Sequence, residues 1–151
     1  MSLHRAKIEW RRNGQPFGLG QYDRSHRIDF EDSVSLAGTA AKENIPSGAP
    51  HSPGADPEEL FVASVSACHM LWFVALASAR KITVNRYRDD AEGVLEKNAE
   101  GRVAVTRVTL RPVVEFDAPP PPHVLDELHH KAHEKCFIAN SVKTEIVIEP
   151  R

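Results

Sequence analysis

The chain is poor in cysteine, with two in 151 residues, too few for the disulfide framework of a small secreted protein. It has no excess of either charge: 19 Lys and Arg stand against 21 Asp and Glu, a formal net charge of −2. That balance argues against nucleic acid as the main partner, because phosphate recognition needs a basic surplus or stripe. The two signs are mixed along the chain, so no polybasic membrane patch stands out. Met1-Ser2-Leu3-His4-Arg5 carries no apolar run of signal-peptide length. The expected compartment is therefore cytoplasmic and reducing. There, paired cysteines serve catalysis, sensing or metal binding more often than permanent cross-linking. No internal repeat is present, and a single domain over 1–151 is the expectation at this length.

What the chain does have is one long apolar run. Leu60 to Ala79 (LFVASVSACHMLWFVALASA) carries no formal charge and, at about 20 residues, matches a bilayer span. Ser64, Ser66, His69 and Ser78 dilute it, no second such run exists, and both flanks read as amphipathic strands needing a common core. The preferred reading is a helix apolar on nearly every side and buried on nearly every side, with no membrane involved. One small domain struggles to wrap such a helix, so a second subunit packed on it, a homodimer, is expected. Its start is well marked. Asp56 suits an N-cap, Pro57 the first helical position, and Glu59 completes a capping-box spacing.

Around it the chain reads as strands. Ala6, Ile8 and Trp10 alternate with polar residues, and Asn13-Gly14 is a hairpin turn signal. Phe17–Gln21 is the expected return strand and Arg27–Phe30 a third. Residues 38–55, rich in Gly, Pro, Ala and Ser, read as an irregular surface loop. Lys81–Lys97 reads as strand, turn, strand; Val103 to Leu110 as another strand; Val124–Lys135 as an amphipathic helix; Val142 to Ile148 as a last strand. The class is α+β with mostly antiparallel pairing and two helices.

The two cysteines sit in unlike settings. Cys68 lies inside the apolar run, where burial makes a thiol an inert small hydrophobe. Small residues precede it (Ala63, Ser64, Ser66, Ala67), leaving room for another chain or a substrate. Cys136 follows a His-rich helix. His133 and Cys136, with Cys68 and His69, admit a zinc reading, though adjacent Cys and His on a regular helix do not readily chelate one ion. His129 and His130 read as solvated.

Asp56-Pro57-Glu58-Glu59-Leu60-Phe61 followed by Ala67-Cys68, and Lys131-Ala132-His133-Glu134-Lys135-Cys136 running into a last strand, resemble the paired motifs of the OsmC/Ohr family. These are osmotically inducible and organic hydroperoxide resistance proteins, and the likeness runs from about Tyr22 to Pro150. The resemblance implies an OsmC-like α+β fold in an intertwined homodimer with long central helices. It implies thiol-dependent reduction of peroxides, chiefly organic, with hydrogen peroxide a further candidate. No cofactor is implied. Cys68 would attack, Cys136 would resolve, Glu58 would match the family's acid, and Arg24, with Arg27 in reserve, would supply the thiolate-stabilising guanidinium. The reductant would be a dithiol, lipoyl or thioredoxin-like. Phe137 stands where proline is common after the second cysteine, His69-Met70 follow the first, and Arg24 lacks the usual glycine-rich setting. These departures mark a distinct branch.

Ten residues separate Glu58 from Cys68, about 15 Å along a straight helix. Either the segment bends or Glu58 serves the other subunit. The alternative function is a non-enzymatic binding protein on the same fold, holding a small apolar ligand near Trp72 and Phe73.

Overall fold

A computed structural model describes all residues, Met1–Arg151. The chain forms two compact units, Met1–Leu60 and Phe61–Arg151. The first is a three-stranded antiparallel sheet of β1 (Ala6–Glu9), β2 (His26–Phe30) and β3 (Ser35–Gly38), in that order. Register places Ile8 opposite Ile28 and Ile28 opposite Leu36, so the period-2 pattern collects these side chains on one face.

The Asn13-Gly14 turn forms, with φ of 50° and 77° and a bond from Gln15 N–H to the Arg12 carbonyl. The expected return strand at Phe17–Gln21 does not. These residues turn instead, and β1 takes β2 as its partner. Pro16, Gly18 and Gly20 are poor strand residues. Phe17 is drawn into an aromatic cluster with Trp10 and Tyr22, at centroid distances of 5.8 and 5.1 Å.

The helix α1 (Pro57–Ala79, 23 residues) is unbroken. Its start is the capping box the sequence indicates: Glu59 N–H donates to Asp56 Oδ1 at 2.7 Å, and Asp56 N–H to Glu59 Oε2 at 3.0 Å. It ends where Lys81 turns left-handed (φ 60°) and Ile82 N–H reaches back to the Ala77 carbonyl. The expectation of burial on nearly every side fails within this chain. Only the stripe Val65, His69, Phe73 and Ala77 is buried, while Leu71 is 64% exposed.

That stripe meets two apolar clusters in the second unit. Phe73 and Ala77 pack with Leu128 and Ala132 of α2 (Pro122–Lys135). Val65 packs with Val108 and Leu110 of β6 (Val103–Leu110). The strands expected across Lys81–Lys97 form as β4 (Val84–Asp89) and β5 (Glu92–Lys97), but they enter different sheets. β4 pairs with β7 (Pro112–Phe116), a strand the sequence pattern did not reveal; β5 pairs with β6, which also runs parallel to β8 (Glu145–Ile148). Asp89 holds this divergence in place. Its carboxylate accepts from Ser66 Oγ on α1 at 2.5 Å and from Arg111 N–H at 2.6 Å. Gly93 admits the helix, because a Cβ there would lie 2.6 Å from a Val62 methyl.

Replacing Asp56 by Ala removes one half of the cap and is expected to cost about 1 kcal/mol, measured by urea unfolding. Phe73→Ala empties the centre of the α1–α2 cluster and is expected to cost about 3–5 kcal/mol.

Candidate functional site

Cys68 lies one position beyond the buried α1 stripe, on a flank that is partly exposed. Ser64, Ala67, Cys68, Leu71, Trp72 and Ala75 form one wall of a groove of about 500 Å³, and Phe137 and Ile138 form the other. No charged side chain lines it, and its size suits a small organic molecule. The spacing along α1 explains the wall: these positions recur every three or four residues and share one helix face. Trp72 is set by two neighbours, the Phe137 ring edge-on at 5.4 Å and the Lys135 ammonium 5.4 Å from its centroid.

Cys136 is the C-cap of α2 and is 1% exposed. Its sulfur accepts from Ala139 N–H at 3.4 Å, and its carbonyl from Asn140 N–H at 3.0 Å, so the chain folds tightly around it. Both thiols are free, and Cys68 shares its groove with Phe137 and Ile138, the residues that follow Cys136. Burial pushes the Cys136 thiol up to about 11; the Cys68 sulfur adds to the rise and the Ala139 amide opposes it. Cys136 is therefore a protonated, sheltered thiol at neutral pH, beside a partly exposed Cys68 that lines an apolar groove.

Of the other predicted site residues, Glu58 and Arg24 belong to the first unit. Glu58 sits in the first turn of α1, and its Oε2 is buried without a hydrogen-bond partner. Because α1 is unbroken, the separation of about 15 Å from Cys68 along the helix stands. Arg24 donates to the carbonyls of Leu19 (2.9 Å) and Tyr22 (3.3 Å) and lies 4.4 Å over the Tyr22 ring, with no carboxylate partner. Arg27, the reserve, is already paired with Asp29 at 2.5 Å. Of the two residues suggested for an apolar ligand, Trp72 lines the groove, whereas Phe73 is fully buried in the core and does not.

His129 departs from the solvated position expected of it. It is 4% exposed, not solvated, and its Nδ1 lies 3.1 Å from Nε2 of His69, which is 1% exposed. His130 is exposed, as expected, beside Glu134. The periodicity held the signal: Leu125, Leu128, His129, Ala132 and Cys136 fall on one helix face. Burial pushes the His69 imidazole down to about 4, with His129 and His133 adding to the shift. Burial does the same to His129, down to about 4, against the pull of Asp126. No group of three or more His, Cys, Asp or Glu side chains is arranged to hold a metal ion.

The fold has counterparts among known proteins. The OsmC-like protein family model matches residues 49–151, and the chain belongs to that family. It is similar over 100% of both chains to an OsmC-like protein of unknown function from Vibrio cholerae, with 41% identity and a TM-score of 0.93. An organic hydroperoxide resistance protein from Elizabethkingia anophelis shares the fold at 18% identity and a TM-score of 0.70, over 99% of this chain and 94% of that one. That of Bacillus subtilis does so at 19% and 0.64, over 97% and 98%. No curated protein matches the sequence.

Two outcomes follow from the site's electrostatics. In the Cys68→Ser variant, alkylation of Cys136 by iodoacetamide at pH 7 is expected to be slow and to accelerate toward pH 11; Cys136→Ser should leave the faster-reacting thiol. Both buried histidines are neutral in the folded protein and charge near 6.5 when unfolded. Unfolding therefore takes up protons between those values, and stability is lost as pH falls from 6.5 toward 4. The loss should be on the order of 3 kcal/mol or more for the pair, read from urea unfolding across that range, and His69→Leu/His129→Leu should flatten it.

Proposed function

We propose that the protein is a thiol-dependent peroxidase reducing organic hydroperoxides through a Cys68–Cys136 dithiol cycle. The observation that carries this reading is the unlike pair itself: one partly exposed thiol on an uncharged groove, with a second, sheltered thiol beside it. Family membership supports it, as does the fold shared with organic hydroperoxide resistance proteins.

In the first step the Cys68 thiolate attacks the distal oxygen of the hydroperoxide. The O–O bond breaks, the alcohol leaves with a proton, and Cys68 becomes a sulfenic acid. The apolar groove receives the organic part of the substrate. Cys136, protonated at rest, does not compete as the attacking thiol. In the second step its sulfur gives an electron pair to the Cys68 sulfur. The S–O bond breaks, and hydroxide leaves as water with the Cys136 proton. An external dithiol then reduces the disulfide by exchange.

A thiolate at Cys68 calls for a nearby cation, and Arg24 is the candidate for it. Its guanidinium is engaged only by backbone carbonyls and an aromatic face. Glu58, with an unpartnered carboxylate oxygen, is its proposed orienting acid. The straight helix keeps Glu58 away from the Cys68 of its own chain, so the pair acts across a homodimer in this reading. The exposed flanks of α1 are the surface a second copy would cover.

The test is consumption of cumene hydroperoxide with a lipoyl or thioredoxin-like dithiol. Cys68→Ser should abolish turnover, and Cys136→Ser should allow about one turnover before the enzyme is lost to overoxidation. Full activity in Cys68→Ser, or none in the wild type with either cumene hydroperoxide or hydrogen peroxide, refutes the proposal.

A further inference from the structure

The steps above leave the buried imidazole pair unused. His69 on α1 and His129 on α2 are joined by one hydrogen bond of 3.1 Å, their ring planes within 6° of parallel. One of the facing nitrogens donates and the other accepts. The outer nitrogens, His69 Nδ1 and His129 Nε2, are buried with no partner. His133, one turn on, carries a further unpaired buried nitrogen, Nδ1.

Unpaired buried polar atoms cost free energy, and two apolar side chains of similar shape would avoid that cost. Stability is therefore a poor reason for this pair. What a hydrogen bond supplies beyond apolar contact is direction. The packing of Phe73 and Ala77 on Leu128 and Ala132 holds the helices together without dictating how far one slides along the other. A short N–H···N bond does dictate it.

Its position gives that constraint a use. His69 directly follows Cys68, and His129 lies two turns before Cys136 on the same face of α2. We infer that His69 and His129 are positioning residues, holding α1 and α2 in the register at which Cys68 and Cys136 meet. They thereby set how often a Cys68 sulfenate is captured as a disulfide before it is oxidised further. The inference about capture rests on the dithiol reading of the pair; the inference about register does not. Capture converts Cys68–SOH and Cys136–SH to the disulfide and water. Escape transfers an oxygen from a second hydroperoxide to Cys68–SOH, giving the sulfinic acid and an alcohol.

The test compares two substitutions at one site. His129→Asn places an amide near the Nδ1 position and keeps a bond to His69; His129→Leu keeps the burial and removes the bond. The first readout is the equilibrium of the Cys68–Cys136 disulfide with dithiothreitol, which needs no peroxide. The Leu variant should be reduced about fivefold to tenfold more easily, the size of one hydrogen bond, and the Asn variant should stay near wild type. The second readout is the sulfinate-to-disulfide ratio by mass spectrometry after cumene hydroperoxide, expected to rise by a similar factor in Leu and to recover in Asn. Thermal unfolding run alongside should show Leu folded but less stable than wild type, because buried His69 Nε2 loses its only partner, and His69→Leu/His129→Leu, which removes both imidazoles, at least as stable as His129→Leu. If His129→Leu does not fold, His69→Gln against His69→Leu gives the same comparison. A Leu variant unchanged in the dithiothreitol equilibrium, or Asn and Leu shifted equally, overturns the inference. A shifted equilibrium with no peroxide consumption in the wild type leaves the register role standing and removes the peroxidase reading instead.

Discussion

α1 has more apolar surface than the chain folded around it covers, and most of the second unit follows from that constraint. The helix is long, uncharged after its first turn and apolar on every flank, yet only Val65, His69, Phe73 and Ala77 are buried. Each of these positions is matched by an opposing element: His69, Phe73 and Ala77 by α2, Val65 by β6. The adjoining flank, from Ser64 to Ala75, is left to line the groove. Cys68 belongs to that flank and not to the stripe, and its availability for chemistry comes from this offset of one residue.

The same geometry makes the two thiols unlike. Cys136 ends α2 in a tight wrap that takes its sulfur out of water and pushes its pKa up. Cys68 faces a groove whose walls are hydrocarbon and aromatic ring. One thiol is reachable and the other is adjacent but sheltered, the division of labour that a sulfenate–disulfide cycle requires. The interhelical histidine bond links the two elements that carry these thiols, so the packing of α1 on α2 and the meeting of the cysteines are one structural matter.

Much of this was legible in the residues. The capping box of Asp56 and Glu59 was readable from spacing alone, because its determinants lie within one turn. The α+β class and most strands followed from alternation, and the two cysteine motifs pointed to the family. What escaped was set by long-range choice. Phe17–Gln21 lost its place as a strand to an aromatic cluster with Trp10 and Tyr22. β4 and β5, close in sequence, parted into different sheets because Asp89 is held between α1 and β7's approach. His129 read as solvated because its neighbours His130 and Lys131 are polar, although its position on the Leu125–Leu128–Ala132 face placed it inside. The burial of α1 was overestimated because composition reports what a helix prefers to bury, not what one chain has available to cover it.

The most direct measurement is the intact mass and peptide map of the reduced protein after one equivalent of cumene hydroperoxide. Loss of two hydrogens per chain and a single new cross-linked peptide joining Cys68 to Cys136 within one chain is the expected result. An unchanged mass, or a sulfinic acid on Cys68 with Cys136 still free, would contradict it.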